Sequence, residues 1–129
     1  MVVDRVTDGK RIAELLASEL DGRSDPPLDR LAVVNADRAV EGTTEGARAY
    51  DVERDGETFA TVFVHEDRAR VELRDGLDAA RETATAEGLR VRPKAVTPPR
   101  LLLFVESGAA VKRAVTAVAA AVETDDATD

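Results

Sequence analysis

The chain contains no cysteine, which excludes disulfides, thiolate zinc sites and a cysteine nucleophile together. It has no tryptophan, one tyrosine and three phenylalanines, so aromatic residues cannot dominate its core. Hydrophobic residues make up 43% of the chain while aromatics supply only 3%, which leaves Val, Ala and Leu to provide the burial. Histidine occurs once, at His65, so no second His or Cys is at hand to complete a metal centre. No apolar run approaches the roughly 18 residues that a membrane span requires. Asp4 and Arg5 follow only Met-Val-Val, so no secretory apolar region is expected, and the reading is of a soluble, cytoplasmic protein without a membrane partner.

Positive charge is the next scarcity. Eighteen Lys plus Arg stand against 26 Asp plus Glu, a formal net charge of -8. The terminal run Glu123-Thr-Asp-Asp-Ala-Thr-Asp129 holds four acids and no base, which is half of that net charge. We therefore expect a single domain over residues 1–122, a length that suits one core, and an acidic, disordered tail over 123–129. Lysine is scarcer still: only Lys10, Lys94 and Lys112 occur, and the other bases are arginine. That bias, with many aspartates and an interior of Ala, Val and Thr, suggests a halophilic, acidic protein or a GC-rich genome. Dense carboxylates keep a protein soluble where salt promotes association.

Periodicity orders the elements. In "GKRIAELLASELDG", Ile12, Leu15, Leu16 and Leu20 share a helical face, with Thr7 or Asp8 as N-cap and Gly22 as the stop. Leu31–Val34 reads as a short buried strand after Asp25-Pro26-Pro27. Ala47–Arg54 and Glu57–His65 flank Asp55-Gly56, a strong hairpin signal. In "RARVELR", Ala69, Val71 and Leu73 alternate with Arg68, Arg70, Glu72 and Arg74, one face buried and the other wet. Asp75 is expected to cap an Ala-rich helix ending at Gly88. Leu89–Arg92 and Leu101–Glu106 are expected strands, and Ser107 the cap of a last helix with Val111, Val115, Val118 and Val122 on one face. The order α-β-β-β-β-α-β-β-α is an α+β fold with three helices on a mostly antiparallel sheet containing a central β-meander. The continuous apolar run Leu101–Val105 reads as a strand covered on both faces.

The stretches "DRVTDGKRIAELLASELDG", "YDVERDG" and "VTPPRLLLFVESG" resemble a family of short, uncharacterised haloarchaeal proteins, a domain of unknown function. The resemblance covers nearly the whole chain apart from the tail, and its motifs are structural. It implies a high-salt setting and carries over no catalytic residue.

Candidate chemistry is sparse. His65 sits beside Glu66 and Asp67 at a strand end and reads as a solvent-facing turn residue. Ser107-Gly108 lies where a nucleophile elbow would be, but Val105 stands where that motif needs glycine, and no Gly-Lys-Ser/Thr follows for a phosphate loop. No catalytic residue, metal ligand or cofactor is assigned. Ser107, Gly108, Lys112 and Arg113 form a candidate anion-binding helix start, the basis of the alternative reading as an anion- or nucleotide-dependent enzyme.

The favoured reading rests on arginine. "GLRVRPKAVTPPRLLLFV", from Gly88 to Val105, holds no acid. Arg90 and Arg92 share one strand face, as Arg68, Arg70 and Arg74 do in the meander, so the five are expected to line one sheet face if their strands are neighbours. That face suits a protein partner, a second copy of the chain, or a small anionic ligand. Nucleic acid is disfavoured: releasing about four counterions gives a salt slope near -3.6, ruinous in concentrated salt, and no aromatics interleave the arginines in sequence.

Overall fold

The computed structural model describes residues 8–123. The expected tail beyond Glu123 lies outside them. Asp8 caps the first helix, accepting a hydrogen bond from the Lys10 amide at 3.0 Å, and α1 runs Gly9–Leu20 with Ile12, Ala13, Leu16 and Leu20 buried. Asp21 ends it, Gly22 follows with a φ of 68°, and the Asp21 carboxylate accepts the Val33 amide at 2.9 Å. The helix end is thereby tied to the outermost strand.

The strands are β1 (Leu31–Val34), β2 (Ala47–Arg54), β3 (Glu57–Val64), β4 (Ala69–Leu73), β5 (Val91–Lys94) and β6 (Arg100–Val105). They form one six-stranded sheet in the order β1-β2-β3-β4-β6-β5, antiparallel at every neighbouring pair. The β2–β3 turn has Asp55 and Gly56 at φ of 53° and 88°, the two left-handed residues of a type I′ hairpin, which is why Asp-Gly stands there. Ala49 and Phe59 are skipped in the β2–β3 register, so each is a bulge that places two successive residues in the core: Ala49 with Tyr50, and Phe59 with Ala60.

The helix α2 (Leu77–Ala86) joins β4 to β5, and β6 returns between them. Its start differs from the expected Asp75 cap: Gly76 is the N-cap at a φ of 65°, and Asp75 Oδ1 accepts the Gly76 amide. A Cβ at Gly76 would collide with the Ala121 carbonyl, so α2 can begin this close to α3 (Val111–Glu123) only with glycine there. At its other end Gly88 adopts a φ of 79°, its amide donates to Thr85 O, and the Leu89 amide donates to Ala84 O. This Schellman closure consumes Leu89, and β5 starts two residues later than the sequence suggests.

All three helices cover one face of the sheet, α3 lying between α1 and α2. Under them, Ala60, Val62 and Val64 of β3, Ala69, Val71 and Leu73 of β4, and Leu101, Leu103 and Val105 of β6 are buried in a single core. Among the described residues no helix is long and apolar enough to cross a membrane. Among the described residues the opposite face carries no helix. The double covering expected for Leu101–Val105 is therefore incorrect: Leu102 and Phe104 point to the open side, and arginine side chains take the place of a second layer.

Candidate functional site: the open face of the sheet

Alternation along β4 puts Arg68, Arg70, Glu72 and Arg74 opposite the helices, because Ala69, Val71 and Leu73 fill the core. The same rule puts Arg100, Leu102 and Phe104 of β6, and Arg92 and Lys94 of β5, on that open side. Arg90 precedes β5, and its carbonyl accepts the Phe104 amide at 3.0 Å, extending the ladder. Register then aligns rows across the strands. Phe63, Arg70, Phe104 and Arg90 form one; Thr61, Glu72, Leu102 and Arg92 the next; Arg74, Arg100 and Lys94 the last.

Arg68, Arg70, Arg90 and Arg92 lie on the open face, with Arg74 one residue past β4 at the next alternate position, but their strands are not neighbours: β6 lies between β4 and β5. What joins them is Phe104. The guanidinium carbons of Arg68 and Arg90 lie 5.7 and 5.5 Å from its ring centre, one from each side. Arg70 lies 4.4 Å from the Phe63 ring. Each planar cation covers apolar surface and gains cation–π attraction, worth about 0.5–2 kcal/mol. Phe63 faces Arg70 across the β3–β4 hairpin, whereas Phe104 meets Arg68 and Arg90 only through the order of the strands, which spacing in the chain could not reveal.

One acid organises the centre. Glu72 is 3% exposed, and its carboxylate lies 3.2 Å from Arg70 Nη2, 3.6 Å from Lys94 Nζ and 3.7 Å from Arg100 Nη1. A carboxylate so deeply removed from water needs partners, and three cations supply them. Lys94 and Arg100, both within the acid-free stretch, thus join the site. The flanks pair off separately: Arg68 with Asp67 at 3.2 Å and Arg90 with Glu106 at 3.3 Å. Among the described residues, the side chains of Arg74 and Arg92 make no hydrogen bond or ion pair. Three cations, Arg70, Lys94 and Arg100, therefore share one carboxylate, Arg74 and Arg92 lie on the same face without a partner, and the buried Nε donors of Arg68, Arg70 and Arg100 have no acceptor.

His65 is not the solvent-facing turn residue its sequence position suggests. It is 6% exposed, with Nδ1 3.0 Å from the Thr44 carbonyl and Nε2 3.1 Å from Arg70 Nη1. A carbonyl only accepts and a guanidinium only donates, so the neutral tautomer with hydrogen on Nδ1 satisfies both. His65 thus positions Arg70. Gly46 fits closely here, since a Cβ on it would approach both the His65 ring and Arg70.

The helix-start candidates are arranged differently. Ser107 Oγ accepts the Ala110 amide at 3.2 Å and caps a 3-10 turn, Gly108–Ala110, that leads into α3. Arg113 donates to the Glu87 carbonyl at 3.1 Å, closing the end of α2, and Lys112 is exposed on α3. The described residues contain no group of three or more His, Asp or Glu arranged to hold a metal ion. A cleft of about 660 Å³ between α1 and the β1–β2 connection has an apolar floor including Ala17, Val33 and Val40 and a rim of Lys10, Asp21 and Arg38. It contains none of the residues singled out from the sequence.

The model of one family, described as a family of unknown function (DUF7993), matches residues 1–129, and the chain belongs to that family. Searches of curated proteins and of solved structures give no match.

Proposed function

We propose that the chain is a small, non-catalytic cytoplasmic domain that binds an anionic partner through the open, arginine-lined face of its sheet. The observation that carries this reading is the excess of cations over acids on β4, β6 and β5, in a protein whose net charge is negative. Arginines spent only on stability would each have a carboxylate, as Arg68 and Arg90 do. Guanidinium forks laid across a flat sheet present donors suited to carboxylate or phosphate oxygens.

Charge segregation is directly measurable. A chain of net charge -8 should be repelled by a sulfonate cation-exchange resin, yet a localised basic face holds it there at low salt. The wild type is expected to be retained. Arg74→Glu with Arg92→Glu abolishes retention, while Arg81→Glu with Lys112→Glu, an equal charge change on the helical side, leaves most of it. Equal loss in both variants contradicts the reading. A second copy of the chain is one source of anionic groups. Sedimentation equilibrium at micromolar concentration identifies it if a dimer is dispersed by the first pair of substitutions, and removes it if the wild type is monomeric.

A further inference from the structure

Resting on that reading of the open face, we infer that the row Arg74–Arg100–Lys94, with Arg92 beside it and Arg70 behind it, is a site for a compact oligophosphate group, a di- or triphosphate. Cations are not spread evenly over the face. Towards one end they are neutralised in pairs, Arg68 by Asp67 and Arg90 by Glu106. Towards the other, Arg70, Lys94 and Arg100 share the carboxylate of Glu72, and Arg74 and Arg92 nearby have no acidic partner among the described residues, which leaves a formal excess of four positive charges. With strands about 4.8 Å apart and alternate residues about 6.7 Å apart along a strand, Arg74, Arg100, Lys94 and Arg92 root in a patch of about 10 by 7 Å, and Arg70 lies about 13 Å from Arg74 along β4. So much charge on so small a patch calls for a dense, multiply charged anion. One carboxylate is already present and leaves the excess standing. A phosphate group carries about two negative charges and three oxygens, and two or three linked groups match both the charge and the span.

Glu72 acts as the template. Buried and shared, it holds Arg70, Lys94 and Arg100 together before any ligand arrives, so little side-chain entropy is left to lose on binding. His65 fixes Arg70 from the far side through its Nε2. The unsatisfied Nε groups of Arg70 and Arg100, like that of Arg68 at the other end, cost stability as the face stands. A long nucleic-acid strand fits less well. The Phe63 and Phe104 rings that would stack bases are occupied by Arg70, Arg68 and Arg90, and Asp51, in the Thr61–Glu72 row, places an acid on β2 further across the same open face.

The test is titration of the full chain with potassium tripolyphosphate, followed by calorimetry and by phosphorus NMR, at about 0.1 M KCl where screening acts over about 10 Å. One-to-one binding is expected. Arg74→Gln with Arg92→Gln, two exposed positions that leave the core intact, weakens it roughly tenfold or more, as loss of charge-assisted hydrogen bonds implies. Arg68→Gln with Arg90→Gln changes it less than threefold. ATP binding equally well assigns recognition to the phosphates alone, whereas tighter ATP binding identifies a nucleotide as the source of the group. The inference is overturned if neither ligand binds, if both double variants weaken binding alike, or if an oligothymidylate binds more tightly than tripolyphosphate. Retention on the sulfonate resin that survives a failed titration removes the oligophosphate and leaves the anionic-partner reading standing; loss of both removes both.

Discussion

Strands β4 and β6 present two surfaces built from alternate residues of the same few amino acids. On the helix side Ala69, Val71, Leu73, Leu101, Leu103 and Val105 are aliphatic and inaccessible to water. On the other, Arg70, Glu72, Arg74, Arg100, Leu102 and Phe104 form a layer of charge laid over two phenylalanines. The first surface explains why the protein folds. The second does so only in part: burying a carboxylate among cations roughly balances desolvation against attraction, and orphaned guanidinium donors add a cost. A sheet face that holds charge at the expense of stability is where a binding function is to be sought.

Substitutions on the two sides should separate these roles. Leu103→Ala, at a fully buried position, is expected to lower unfolding free energy by about 2–5 kcal/mol in chemical denaturation, with no specific effect on anion binding while the chain stays folded. Glu72→Ala on the open side should cost less, about 1–3 kcal/mol, because three cations lose their shared partner but two of them remain partly solvated. Added tripolyphosphate should restore part of that loss, and a ligand-independent loss would break the contrast. Tyr50 gives a third, smaller effect. Its hydroxyl donates to the Ala13 carbonyl at 2.8 Å, and burial pushes its ionisation well above the ordinary tyrosine range. Since the folded state resists deprotonation, the associated stability is complete below about pH 10 and falls as pH rises further. Tyr50→Phe should cost about 1 kcal/mol at neutral pH and flatten that alkaline decline. Arg92→Gln should leave the melting temperature unchanged and alter only anion binding.

Much of the helix side was legible from alternation and caps. A cap at Thr7 or Asp8 before α1, Asp55-Gly56 at the hairpin, and Ala69, Val71 and Leu73 facing inward all follow from local rules. The open side was harder to read because its logic is non-local. That the basic strands carry their arginines on one face follows from period two, yet β6 inserting between β4 and β5 depends on a crossover that no spacing announces. Leu101–Val105 read as doubly covered because a run of apolar residues does not say what lies above Leu102 and Phe104. Arginine stems and guanidinium planes cover aromatic rings as a second layer would. His65 shows the same limit: its burial comes from the Thr44–Gly46 loop, distant in sequence, and from Arg70 across the β3–β4 turn.

Two-dimensional proton–nitrogen NMR of the chain during addition of tripolyphosphate weighs the open face against every other surface at once. Shifts should concentrate at Arg74, Arg92, Lys94 and Arg100, with Glu72 and Arg70 following, and leave α1 and the Ser107–Ala110 turn undisturbed. Shifts centred on Ser107, Gly108, Lys112 and Arg113, or none anywhere, would contradict an anion site on the open face of the sheet.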